Sequence, residues 1–99
     1  MPFIVLGVQL ISLKLQQSEL QFREVIVTNE KETVTSELAN MPSDVDTDSA
    51  QYKGLEQLKE QYDTEINTIE SQLKEINSEI DSFQKGIDQN IKTDGAFKL

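Results

Sequence analysis

Between residues 62 and 87 one apolar seam runs without a gap: Tyr62, Ile66, Ile69, Leu73, Ile76, Ile80, Phe83 and Ile87. The spacing alternates between four and three, and the residues between are almost wholly Glu, Lys, Gln, Asn, Ser, Thr and Asp. This is the heptad repeat of a helix that packs along another helix, with Ile66, Leu73, Ile80 and Ile87 at a and Tyr62, Ile69, Ile76 and Phe83 at d. Its e and g positions include Glu56, Asp63, Glu65, Glu70 and Glu79, with neither Lys nor Arg among them. In a parallel pairing with its own copy, Glu65 would face Glu70, a like-charge contact. An antiparallel neighbour offering Lys14, Arg23 and Lys31 suits these flanks better.

The N-terminal half is patterned differently. One row reads Leu6, Leu10, Leu13, Leu20, Val27, Val34 and Leu38, interrupted by Gln17, Glu24 and Lys31. A second reads Val8, Ile11, Leu15, Phe22 and Ile26. A single partner helix covers one row, so the other is left for a different neighbour. Residues 8–15 also hold β-branched side chains and the alternation Leu13-Lys14-Leu15, which would suit a strand. Nothing after residue 27 offers a second strand to pair with it.

Pro42 keeps Met41 out of the α region and stops the first helix. The pattern predicts a helix over about 4–40, a turn over about 41–48, a helix over about 49–92 and a tail over 93–99. Asp48, with Gln51 three residues on, is the expected N-cap of the second helix. So short a break folds the two arms back on each other. The expected fold is all-α, a single antiparallel helical hairpin.

Composition narrows the functional classes. Only 36% of the 99 residues are hydrophobic, which fits a helical hairpin better than a globule with a large core. The formal charge of −9 argues against nucleic acid and anionic membrane surfaces as partners. Absence of cysteine excludes disulfides and thiolate metal sites, and absence of histidine removes the usual general base. Residues 1–13 carry no charge but lack the basic start and small-residue cleavage site of a secretory signal. Gln9, Ser12, Lys14, Gln16 and Gln17 make the stretch too polar for a membrane span.

Asp44, Asp46 and Asp48 have the opening spacing of a calcium loop, but Ser49 and Leu55 stand where such a loop needs Gly and Glu. The cluster reads as an acidic turn. Carboxylate pairs such as Glu56/Glu60 and Glu75/Glu79 lie on a solvated helix, with no pocket to shift their pKa values. No catalytic residue, metal site or cofactor is expected.

Two short motifs carry a family resemblance: Pro42-Ser43-Asp44-Val45 at the turn, and Lys85-Gly86-Ile87-Asp88-Gln89-Asn90-Ile91 near the end. They resemble the turn and the C-terminal stretch of type III secretion needle proteins, small helical hairpins that stack into a tube. The chain departs from that pattern at Val45, where the family has a second proline, and in its longer heptad arm. The resemblance implies subunit contacts at Ile87, Ile91 and the Pro42 turn. The expected role is structural self-assembly into a filament or secretion-type tube. Its expected interface comprises Leu6, Val8, Ile11, Leu15, Phe22, Ile26, Ile87 and Ile91. The alternative is an acidic coiled-coil adaptor for one other helical protein. A filament subunit would be extracellular or at the cell surface, an adaptor cytoplasmic.

Overall fold

In the computed structural model two helices account for nearly all of the chain: α1, Phe3–Ala39, and α2, Ala50–Thr93. The structure describes residues 3–93, and side chains from 4 to 91. The expected tail over 94–99 lies outside them. Among the described residues there is no strand, and residues 8–15 are helical. With no second strand to satisfy its backbone, the helix is the conformation in which that stretch meets its own hydrogen bonds. The two helices run antiparallel, as an all-α hairpin.

Contacts group the chain into two units, Gln21–Ser71 and Met1–Leu20 with Gln72–Leu99. The first contains the turn. There the Asn40 N–H still donates to the Ser36 carbonyl at 2.9 Å, while Met41 donates to Leu38 at 3.4 Å, a tightened last turn ahead of Pro42. Val45 N–H then closes a turn on the Pro42 carbonyl at 3.0 Å. The cap of α2 is Ser49, one residue beyond the expected Asp48. Ser49 Oγ accepts the Tyr52 N–H at 3.2 Å. The Ser49 carbonyl also accepts the Lys53 N–H at 3.0 Å, the first bond of the helix, so Asp48 lies one step before it, its own N–H donating to Asp46 Oδ1 at 2.9 Å. Its carboxylate lies 3.7 Å from Lys53 Nζ instead.

With Leu6, Leu13, Leu20, Val27 and Val34 of α1 taken as d, its a positions are Leu10, Gln17, Glu24, Lys31 and Leu38. All ten are buried or half-buried. In the turn-containing unit, Val27, Val34 and Ile69 are buried, and Leu38, Leu55, Tyr62 and Ile66 half-buried. Ile69, only 2% exposed, is the most enclosed. In the other unit Leu6 and Leu13 are buried, and Leu10, Leu73, Ile76, Ile80, Phe83 and Ile87 half-buried. Five hydrophobic side chains are buried outright among the described residues, a thin core for a chain of this length.

Candidate assembly surface

The outward side of α1 is where the two helices part company chemically. In the unit formed by Met1–Leu20 and Gln72–Leu99, Ile4, Val8, Ile11 and Leu15 stand at the b and f positions, opposite the packed a and d row. Val8, Ile11 and Leu15 are 60–62% exposed, and Ile4 more so. In the unit Gln21–Ser71, Phe22 and Val25 hold the same heptad positions, with Ile26 beside them; Phe22 is 69% exposed. By contrast, the b and f positions of α2 from 64 to 85 are Thr64, Asn67, Ser71, Lys74, Ser78, Asp81 and Lys85, all polar and all exposed.

Of the residues expected at an assembly interface, Val8, Ile11, Leu15, Phe22 and Ile26 therefore lie on the outward side of α1. Ile91 is about half exposed on α2. Leu6 and Ile87 lie elsewhere. Leu6 is 7% exposed and faces α2, where a methyl group placed on Gly86 would lie 3.9 Å from its Cδ1. Ile87 is half-buried in the seam. Ile4 and Val25 were not in the row read from the sequence, which starts at Val8 and passes from Phe22 to Ile26. The signal that finds them is the four-three spacing 4, 8, 11, 15, which returns at 22 and 25.

The packed face is polar where α1 departs from the apolar repeat. Gln17 Nε2 donates to Asn77 Oδ1 at 2.6 Å within one unit. Within the other, Lys31 pairs with Asp63, and Arg23 NH2 lies 3.0 Å from Glu65 Oε1. So α1 supplies Arg23 and Lys31 to the acidic flanks of α2. Glu24 lines a shallow groove with Val25, Thr28, Asn29, Ile66 and Glu70. Gln9 Oε1 is buried without a hydrogen-bond partner, a local cost to the fold. Tyr62 has its phenol pKa raised, first by desolvation, then by its hydrogen bond to Glu30 and the charges of Glu30 and Glu65. On α2 a hydrogen bond and charge pairing with Asp81 one turn earlier raise the Lys85 pKa, against a smaller desolvation effect.

Among the described residues no group of three carboxylates is gathered as around a metal ion, and no helix is long and apolar enough to cross a membrane. No family model matches the chain, and no curated protein or solved structure matches it significantly.

Proposed function

We propose that this chain is a structural, self-assembling helical protein, its hairpin the subunit of a filament or secretion-type tube. The observation that carries the reading is the outward face of α1, apolar at Ile4, Val8, Ile11 and Leu15 while the equivalent face of α2 is polar. Exposed apolar rows of this kind mark surfaces that another protein covers. The thin core points the same way, since association adds to the stability of a marginal fold. The resemblance of the Pro42 turn and the stretch from Lys85 to Ile91 to needle subunits supports the filament form of this reading.

Sedimentation velocity of the purified protein tests the proposal. Association in the micromolar range is expected, and it should be lost in a Val8→Ser, Ile11→Ser, Leu15→Ser variant that keeps its helical circular dichroism. A monomeric native protein at about 100 µM, a concentration where even weak specific contacts register, would overturn it. The adaptor reading draws on the acidic flanks of α2. Two of those groups, Asp63 and Glu65, are engaged by Lys31 and Arg23 of the same chain, which leaves fewer for a foreign basic helix.

A further inference from the structure

We infer that the outward face of α1 takes a second copy of the same chain, with the two α1 helices parallel and in register. The inference rests on the self-assembly proposed above and adds the orientation of the contact.

In a contact made through the b and f positions, Val8 and Leu15 act as an a row. Ile4, Ile11 and Ser18 act as a d row. Two charges flank this seam from opposite sides: Lys14, just before Leu15, and Glu19, just after Ser18. Both are exposed. Neither is engaged in an ion pair among the described residues. They cannot pair with each other within one helix, because residues five apart do not share a face. In a parallel, in-register pair, a flanking residue meets the opposite flank of its neighbour five positions further on. Lys14 of each copy then meets Glu19 of the other, giving two symmetric ion pairs around Leu15 and Ser18. Antiparallel pairing sets like flanks side by side, and Lys14 never reaches Glu19. The charge pattern therefore selects one orientation. A symmetric contact of this kind closes at two copies, so growth into a filament would use another surface as well.

The absence of cysteine makes the test clean, because any introduced thiol is unique. Ile4 and Ser18 hold equivalent positions two heptads apart. Ile4→Cys and Ser18→Cys, prepared separately and oxidised under native conditions, should each form a disulfide-linked dimer with its own counterpart. An antiparallel contact centred near Ile11 would instead cross-link only a mixture of the two variants, and that result overturns the inference while leaving self-assembly intact. Association with no cross-link in any arm overturns it equally. A monomeric native chain removes both readings together.

Charge reversal gives a second readout. Lys14→Glu and Glu19→Lys should each weaken dimerisation by about fivefold, the scale of two exposed ion pairs turned repulsive, and the double reversal should restore it to within about twofold. Failure of the double variant to recover, with circular dichroism unchanged, would show that these charges do not meet.

Discussion

The two helices solve the same packing problem with different sequences. α2 keeps its large apolar residues to one stripe apart from Leu58 and Ile91, so its pattern is read at a glance. α1 gives a and d positions to α2 but admits Gln17, Glu24 and Lys31 among them, and it keeps a second apolar row on its far side. A helix that were only half of a hairpin would have no use for that row. The difference teaches that α1 carries more apolar surface than its packing on α2 uses, and the proposed self-assembly rests on that surplus.

The sharpest way to break the comparison is to truncate the seam of α2 and, separately, the outward row of α1. Ile69→Ala should destabilise the hairpin by about 2–5 kcal/mol, because it opens a cavity at the most enclosed side chain. The urea midpoint followed by circular dichroism measures this. Phe22→Ser with Ile26→Ser should change the unfolding free energy of the monomer, read from the same titration, by no more than about 0.5 kcal/mol, as surface changes do. Equal losses in the two variants would mean that the faces of α1 are assigned wrongly.

A smaller effect sharpens it. Glu24→Leu gives α1 an apolar a position where α2 already has one, and removes a carboxylate from the groove it shares with Glu70. A gain of about 1–2 kcal/mol in thermal or urea unfolding is expected, from added apolar burial. Smaller still is Gly54→Ala on α2. A methyl group there meets nothing within 4 Å, so helix propensity alone should add about 1 kcal/mol.

The smallest effect is one of pH. The Tyr62 phenol holds its proton more tightly in the folded chain than at its ordinary value of 10.0. Its contribution is therefore complete below that value and lost as pH rises through the folded pKa. Stability followed by circular dichroism should fall at high pH by less in Tyr62→Phe than in the native chain.

How much of this was legible beforehand follows from the same asymmetry. The seam of α2 was readable residue by residue because every intervening position is polar, and the Pro42 break fixed where the chain turns. The cap lies one residue later than the sequence pattern places it. Asp48 and Ser49 are both good cap formers, and the pattern of side chains does not say which of their carbonyls opens the helix; in the structure it is that of Ser49, which accepts the Lys53 N–H. On α1 the second row is visible in part, from Val8 to Phe22, but Val25 and Ile26 are adjacent apolar residues and the pattern alone does not say which continues it, while Ile4 lies one step before the row's first residue. Which carboxylates of α2 would meet Arg23 and Lys31 required the helices to be placed side by side.

The turn has a consequence for the order in which the chain comes together. Bonds around Pro42 and Ser49 join residues three or four apart, and the pairing of Lys31 with Asp63 closes a loop of only moderate length. The contact of Gln17 with Asn77 spans 60 positions. Forming nearby contacts first shortens every later loop, so folding should begin at the turn and zip toward the chain ends. Amides of residues 24–38 should then resist hydrogen exchange longer than those of residues 5–17 in the isolated monomer. The stretch bearing Ile4, Val8 and Ile11 would be last to fold and first to open, and a second copy bound there would slow its exchange most.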